Sequence, residues 1–192
     1  MTKIIEPPTL ETKRLILRPI ALDHAESLEK HFNNWNIIKN LNDRVPWPYP
    51  KGGVADHIKT EALPDMLGGK ALLWTIFLKD QPDDPIGRLD FRIIHTQPEQ
   101  GDRGFWLAEP FWGLGLMTEA VACLNDYVFD VLGRDKITVQ NYVDNIGSHR
   151  VKEKTGSVLI RTEIQKWRDQ GREVEIWELT ADNWRKFKSR DS

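Results

Sequence analysis

Two glycines stand where an apolar run meets the start of a predicted helix, in the stretch FWLAEPFWGLGLMTEAV (105–121). Glycine at Gly113 and Gly115 lowers stability unless the backbone needs a left-handed conformation or must approach a ligand closely. The first amides of a helix lack intrahelical partners, and the helix dipole adds positive potential at the same point. The spacing therefore predicts an anion site, above all for phosphate, although a plain tight turn would also use these glycines.

Two known phosphate-binding motifs do not fit this turn. A dinucleotide-binding fingerprint requires a third glycine at the position of Thr118 and an acidic residue at the end of the next strand, where 139–141 read Val-Gln-Asn. A P-loop requires Gly-Lys followed by Ser or Thr, which this turn lacks. The turn therefore predicts phosphate binding of another kind.

Composition and charge exclude several classes of function. The 192 residues suffice for one sizeable core, and 40% hydrophobic with 29% charged residues are ordinary for a soluble globular protein. A net charge of -2 predicts no nucleic-acid partner, and no apolar run approaches the roughly 20 residues of a membrane helix. The N-terminus has no apolar core of the secretory type, and the single cysteine, Cys123, cannot form an internal disulfide, so we expect a cytoplasmic protein.

Metal chemistry is not expected from this sequence. The spacing of the five histidines is not that of metal ligands, and Cys123 lies on the apolar stripe of a predicted helix. The histidines are His24, His31, His57, His95 and His149. The eight tryptophans are unusual, and the count of aromatic residues expected at the surface is compatible with a homodimer.

The surrounding elements predict a mixed α/β (α+β) fold in a single domain over residues 1–192. Predicted strands are 12–20, 71–80, 87–95, 103–109, 135–143, 157–166 and 173–180, with a turn at 81–87. Four helices are predicted. The first begins near 23, the second covers 53–67 with an interruption at Pro64, the third runs from 118 to Gly133 at its C-terminal end, and the fourth covers 148–156. The strand–helix–strand connection over 103–143 makes two strands parallel in a mostly antiparallel central sheet flanked by helices. Where these two strands splay, a crevice for a ligand forms at their carboxyl ends.

The order of the motifs resembles the GNAT acetyltransferase superfamily, and more narrowly its ribosomal-protein N-acetyltransferase branch, the RimJ/RimL-like proteins. The motifs are, in chain order, ETKRLILRPI (11–20), VPWPYP (45–50), RGFWLAE (103–109), PFWGLGLMTEA (110–120), NIGS (145–148) and EKTG (153–156). Together they cover nearly the whole chain. The resemblance implies a GNAT-like fold, with acetyl-CoA as cosubstrate in the crevice and an amine as acetyl acceptor.

The resemblance also implies which residues bind coenzyme A. Amides of the loop 110–118 would hold the diphosphate, the central strand would pair with the pantetheine arm, and Asn145 would fix that arm. Arg150, Lys152 and Lys154 could meet the 3′-phosphate, or they could form an ordinary exposed helix face. The implied cofactor-binding residues are Trp106, Leu107, Ala108, Trp112, Gly113, Leu114, Gly115, Leu116, Met117, Thr118, Asn145, Ser148 and Lys152.

Acetyl transfer needs a neutral amine, a stabilised oxyanion and a proton for the departing thiolate. The backbone N–H near Leu107 is our candidate for the oxyanion. Lys152 replaces the tyrosine that often donates the proton in the wider superfamily, so Ser148 is the candidate donor, with a helix cap as its alternative role. For the base, the resemblance implies Asp102, which could also be a plain turn carboxylate, and Glu163 is the competing candidate.

Trp47 and Tyr49 in the proline-rich loop are the candidates for contacts with the acceptor, although packing against the next helix would also explain them. The acceptor itself could be a protein N-terminus or a small molecule such as an amino acid, a polyamine or an aminoglycoside. A rival hypothesis is an acyl-CoA-binding or sensing module that has lost catalysis, because the tyrosine is missing at Lys152. A purely structural domain on the same scaffold is the third possibility.

Overall fold

A computed structural model of the protein describes residues 6–94 and 101–190. These residues form two compact units, one of 6–94 with 103–116 and the other of 101–102 with 117–190. The fold is mixed α/β with antiparallel sheets and flanking helices, as the sequence predicts. His95, predicted to end a strand, lies outside the described residues.

The first unit contains a five-stranded antiparallel sheet of order β1-β2-β3-β4-β5. Its strands are β1 (Leu10–Glu11), β2 (Leu15–Pro19), β3 (Ala71–Leu78), β4 (Gln81–Arg92) and β5 (Arg103–Leu107). Its helices are α1 (Ala25–Phe32), α2 (Trp35–Ile38), α3 (Gly53–His57) and α4 (Leu63–Leu67). The core of this unit joins apolar side chains of α1, α2 and α3 to Ala71 and Leu73 of β3.

The predicted interruption at Pro64 does not occur, because a π-helical turn, Ile58–Ala62, connects α3 to α4. In that turn the N–H of Leu63 donates to the carbonyl of Ile58, five residues earlier. The shift places Pro64 in the first turn of α4, where a missing N–H costs little. The helical segment is therefore continuous over 53–67.

The prediction of a turn at 81–87 is wrong, because β4 already begins at Gln81 after a two-residue turn. The register moves from Leu78 opposite Gln81 to Phe77 opposite Pro85. Residues 82–84 therefore form a bulge. The prolines at 82 and 85 explain it, since neither can donate to a neighbouring strand.

The second unit contains a three-stranded antiparallel sheet of order β6-β8-β7. Its strands are β6 (Lys136–Tyr142), β7 (Val158–Trp167) and β8 (Gln170–Thr180). Its helices are α5 (Leu116–Asp126), of which the first residue belongs to the first unit, α6 (Ile146–Glu153) and α7 (Ala181–Lys188). A π-helical turn, Tyr127–Val131, extends α5 to the predicted end at Gly133, whose φ is 65°.

Two features of the second unit differ from the sequence prediction. Helix α7 was not predicted, although Thr180 caps it by accepting the N–H of Asn183 at 3.1 Å. The described strand pairs are all antiparallel, and β5 and β6 are each an edge strand of a separate sheet. The parallel pair therefore stays a prediction.

Candidate active site

The glycine turn before α5 has the backbone geometry that only glycine adopts easily. Gly113 and Gly115 have φ values of 76° and 75°, in the left-handed region. A Cβ on Gly113 would meet nothing within 4 Å, so the backbone angle, rather than crowding, requires glycine there. Helix α5 begins at Leu116, so its unpaired first amides follow the turn directly.

Two long side chains of the first unit anchor this turn. Arg14 donates from Nη1 to the carbonyl of Leu114 at 2.9 Å, and Trp112 donates from Nε1 to the carbonyl of Leu107 at 2.7 Å. In a planar trans peptide the C=O and the following N–H point in opposite directions. The N–H of Gly115 therefore points away from Arg14, which leaves this donor turned to the other side of the loop.

The edge strand β5 offers one backbone donor where the oxyanion was predicted. The N–H of Ala108 donates to the carbonyl of Ile86 at 2.8 Å, which makes these two residues a hydrogen-bonded pair. Pairs alternate along an antiparallel ladder, so Trp106 also faces β4 while Leu107 faces outward. Trp112 already donates to the carbonyl of Leu107. The outward N–H of Leu107 is therefore the group suited to donate a hydrogen bond to an oxygen atom of a ligand.

In the second unit, α6 brings together Asn145, Ser148 and Lys152. Asn145 caps the helix, since its side chain accepts the N–H of Ser148 at 3.1 Å. The predicted alternative role of Ser148 as the cap is therefore wrong, and the helix begins at Ile146. Lys152, one turn later, donates from Nζ to Oγ of Ser148 at 2.7 Å.

The exposure of the three basic residues on α6 separates their roles. Lys152 is 1% exposed, so it does not belong to a solvated helix face, whereas Arg150 and Lys154 are exposed. Ser148 is also buried, with 8% of its surface exposed. The predicted contact with a 3′-phosphate therefore fits Arg150 and Lys154 better than Lys152.

The two carboxylates predicted as bases lie in different surroundings within the second unit. Asp102 donates its N–H to the carbonyl of Thr138 at 2.7 Å and accepts the N–H of Thr138 on its own Oδ2 at 2.5 Å. Glu163 on β7 accepts from Gln165 at 3.0 Å and from Arg161 at 2.7 Å. These hydrogen bonds lower the pKa of the Glu163 carboxyl, because they favour its charged form.

The aromatic residues predicted to contact an acceptor pack against helices of the first unit. Tyr49 meets Phe32 of α1 edge to face, with ring centroids 4.8 Å apart, and Trp47 meets Trp35 of α2 at 5.4 Å. Burial raises the pKa of Tyr49 to about 12, and the charge of Glu29 adds to the effect. Trp47 remains 40% exposed, so its ring is also available to a ligand.

Sequence reasoning missed a charged cluster on β4. Arg88 donates from Nη1 to Nε2 of His57 on α3 at 2.6 Å, and Asp90 lies two residues along the same face of the strand. The signal was present in the segment RLDFR (88–92), where charged residues alternate with Leu89 and Phe91. The alternation of charged and apolar residues shows which side chains share a face of β4, but it does not show which helix covers that face. His57 therefore could not be assigned as the partner of Arg88 from the sequence.

A buried carboxylate under α6 was also missed. Glu175 accepts from Asn141 at 2.8 Å, from His149 at 2.9 Å and from Trp177 at 3.2 Å. Burial alone would raise the pKa of Glu175, but these hydrogen bonds together hold it below its usual value. Glu175 therefore fixes α6 to the sheet beneath it through His149.

Known proteins place the chain in a family. Residues 14–158 match the family model described as the acetyltransferase (GNAT) domain. The chain therefore belongs to the GNAT acetyltransferase family and is an acyltransferase. The resemblance that the motifs indicated is confirmed.

Similar proteins include p20 of Bacillus licheniformis, an uncharacterized N-acetyltransferase that is 29% identical over 141 residues, covering 73% of this chain and 76% of p20. The fold is similar to that of RimL, a ribosomal alpha-N-protein acetyltransferase in complex with coenzyme A, with a TM-score of 0.75, 20% identity and coverage of 92% and 99% of the two chains. It is also similar to the spermidine N-acetyltransferase of Vibrio cholerae in complex with CoA and spermine, with a TM-score of 0.72, 16% identity and coverage of 90% and 99%. The two solved structures, one of them a ribosomal-protein acetyltransferase, share the fold of this chain.

Residues 6–94 and 101–190 contain neither a metal-binding cluster nor a membrane-spanning helix. No cluster of His, Cys, Asp and Glu in these ranges could hold a metal ion. Their helices also include none with the length and apolar character that crossing a membrane requires.

Proposed function

We propose that the protein transfers the acetyl group of acetyl-CoA to an amine, which attacks the thioester directly and forms a tetrahedral intermediate. The observation that carries this proposal is the left-handed turn at Gly113 and Gly115 that leads into α5, because it turns helix-start amides toward an anion. RimL, whose fold is similar, binds coenzyme A, which supports the same donor here. The acceptor is a protein N-terminus or a small-molecule amine.

Backbone and side-chain groups of the chain supply the remaining chemistry. The outward N–H of Leu107 stabilises the oxyanion as the amine nitrogen bonds to the acetyl carbon. Ser148 gives a proton to the sulfur as the carbon–sulfur bond breaks, and Lys152 supports it by donating to its Oγ. Asn145 holds the pantetheine arm, and Trp47 and Tyr49 contact the acceptor.

For the proton that the ammonium must lose, we propose Asp102, acting through water, rather than Glu163. The hydrogen bonds from Gln165 and Arg161 stabilise the charged form of Glu163, so this carboxylate is a weaker base. Asp102 instead precedes β5, the strand assigned to the thioester end of the donor.

The first test is a thermal melt with and without acetyl-CoA, with ATP and NAD as controls. We expect acetyl-CoA alone to raise the Tm, and we expect Gly113→Ala to weaken its binding about tenfold, since the substitution distorts the turn. Gly133→Ala is the matched control, because Gly133 also has a positive φ (65°) with nothing within 4 Å of a Cβ. Both variants lose similar stability, but only Gly113→Ala should change the affinity for acetyl-CoA.

A second readout separates transfer from binding alone. Thiol release with a panel of amines should accompany the thermal shift if the protein is an active N-acetyltransferase. Lys152 in the usual place of tyrosine favours the alternative of a catalytically inactive acyl-CoA-binding module. A shift without thiol release on any amine would support that module, and no shift at millimolar acetyl-CoA would rule out both.

A further inference from the structure

The Arg88 side chain lies beside aromatic residues on the helix-covered face of the first unit's sheet. Arg88 on β4 is paired in register with Trp106 on β5, and directly opposite residues of an antiparallel pair point to the same face. Trp106 packs on Phe32 with ring centroids 4.9 Å apart, and Phe32 packs on Tyr49. Arg88 is therefore beside the strand to which the proposed function assigns the pantetheine arm, and near a predicted acceptor residue.

Arg88 uses only part of its hydrogen-bonding capacity within residues 6–94 and 101–190. Its Nη1 donates to His57, whereas its Nη2 lies 3.8 Å from Oδ2 of Asp90, too far for a hydrogen bond. Its Nε is buried and has no hydrogen-bond partner in those ranges. Nε and Nη2 form one edge of the guanidinium, and such an edge binds a carboxylate through two parallel hydrogen bonds.

His57 occupies the other side of the guanidinium without neutralising its charge. Arginine only donates, so Nε2 of His57 accepts and the imidazole proton sits on Nδ1, which faces Oε2 of Glu61 at 3.6 Å. Burial and, after it, the charge of Arg88 lower the pKa of His57, so the ring is neutral at physiological pH.

The nearby carboxylate of Asp90 is shared among several donors. It lies 3.4 Å from Nη2 of Arg92 and accepts the N–H of Gly104 at 3.0 Å. Two guanidinium groups therefore face one carboxylate. The side chain of Glu61, on the far side of His57, is 65% exposed. Arg88 thus shares the charge of Asp90 with Arg92 and keeps hydrogen-bonding capacity at Nε and Nη2 for a ligand.

We propose that Arg88 binds a carboxylate carried by the amine acceptor, and that the enzyme therefore selects amines that bear a carboxylate group. The inference rests on the proposed function and names the substrate class of the same site. The Arg88 side chain is 17% exposed although its Nε is buried, so a small carboxylate would approach from the Nη2 side and direct its second oxygen toward Nε. A polyamine would bring a second positive charge toward the guanidinium and is disfavoured.

The neighbouring Tyr49 is compatible with such a ligand. Because its pKa is raised to about 12, chiefly by burial, it remains a neutral phenol and adds no negative charge beside the carboxylate. Two sources share the required chemistry: a free amino acid, and a peptide whose first residue has an acidic side chain. In both, an amine and a carboxylate lie a few bonds apart.

The test compares matched acceptors in a thiol-release assay. The pairs are free amino acids with their carboxamides, and peptides that begin with Asp or Glu with their Asn or Gln counterparts; spermidine is added as a polyamine. In the wild type we expect kcat/KM for each carboxylate acceptor to exceed that of its amide by about 100-fold. Whichever class of carboxylate acceptor has the larger kcat/KM, free amino acids or peptides, is then identified as the natural source of the carboxylate.

Two variants test whether Arg88 is the residue that causes the preference for carboxylate acceptors. Arg88→Gln should lower kcat/KM for the carboxylate acceptor by about 100-fold and leave the amide within about threefold, with the acetyl-CoA thermal shift retained. Arg92→Gln is the matched control, because Arg92 lies four residues from Arg88 on the same face of β4 and also faces Asp90. It should change neither acceptor by more than about threefold.

The comparison in the wild type does not depend on whether a variant folds. Equal kcat/KM for carboxylate and amide acceptors, or turnover with spermidine alone, would overturn the inference while leaving the acetyltransferase proposal intact. An equal loss for both acceptors in Arg88→Gln would also overturn it. A wild type that shows no acetyl-CoA shift would instead refute the proposed function itself.

Discussion

Ser148 has surroundings that restrict where its hydroxyl proton can go. An ammonium group donates and does not accept, so the hydroxyl hydrogen of Ser148 points away from Nζ of Lys152, 2.7 Å from its Oγ. The backbone N–H of the same residue is taken by the side chain of Asn145. The hydroxyl is therefore held with its proton available to a third group, as a proton donor requires.

We expect Ser148→Ala to lower kcat for thiol release about 100-fold, the usual scale of a lost acid–base group, while the thermal shift with acetyl-CoA stays within a degree. Steady-state kinetics and melting curves on the same preparations measure both quantities. Ser157→Ala is the control, since its Oγ is also buried but has no hydrogen-bond partner in residues 6–94 and 101–190. Unchanged turnover in Ser148→Ala would rule out the role of proton donor.

The sequence indicated some of these positions, through the family resemblance, and not others. Ser148 and Asn145 were found because they belong to a motif, NIGS, that is contiguous in sequence. Arg88 and His57 are 31 residues apart, and their contact depends on how α3 lies across the sheet of the first unit. Pairs of this kind follow from tertiary packing, which a single sequence does not contain.

At the scale of elements, the end of α6 is fixed by its packing against α7. Gly156 follows α6 with a φ of 76°, and a Cβ there would lie 2.9 Å from Cβ of Phe187 on α7. Trp184 of the same helix donates to Asp126 of α5 at 2.9 Å. Helix α7 thus packs on Gly156, three residues beyond the end of α6, and bonds to the last residue of α5.

Gly156→Ala should therefore lower the free energy of unfolding by about 2–4 kcal/mol, the sum of backbone strain and overpacking. Gly69→Ala is the matched control, because Gly69 follows α4 with a φ of 67° but has nothing within 4 Å of a Cβ. Its loss should be about 1 kcal/mol, from the backbone angle alone. Urea unfolding measures both, and equal losses would contradict the proposed packing.

The elements that sequence reasoning placed well are those with strong periodicity, such as β3 (Ala71–Leu78) and β6 (Lys136–Tyr142). Two predictions based on proline were wrong, the helix interruption at Pro64 and the turn at 81–87. A π-helical turn accommodates the missing N–H in the first case and a bulge does so in the second. Helix α7 was missed for another reason. Its eight residues are mostly polar, and Trp184 and Ala181 are its buried residues.

At the scale of the whole molecule, the family match extends over parts of both compact units. Residues 14–158 include the strands of the first unit from β2 onward and, in the second, β6 and α6. The boundary between the units, after Leu116, falls within helix α5. Both the family match and helix α5 therefore cross this boundary.

Because helix α5 crosses the boundary between the units, we expect one calorimetric transition with equal calorimetric and van't Hoff enthalpies. Acetyl-CoA at about 100 times its Kd should add roughly 2.7 kcal/mol and raise the Tm of this single transition by about 5–10 °C. Gly113→Ala should reduce that shift without splitting the transition. Two separate transitions would contradict this expectation and show that the units unfold independently.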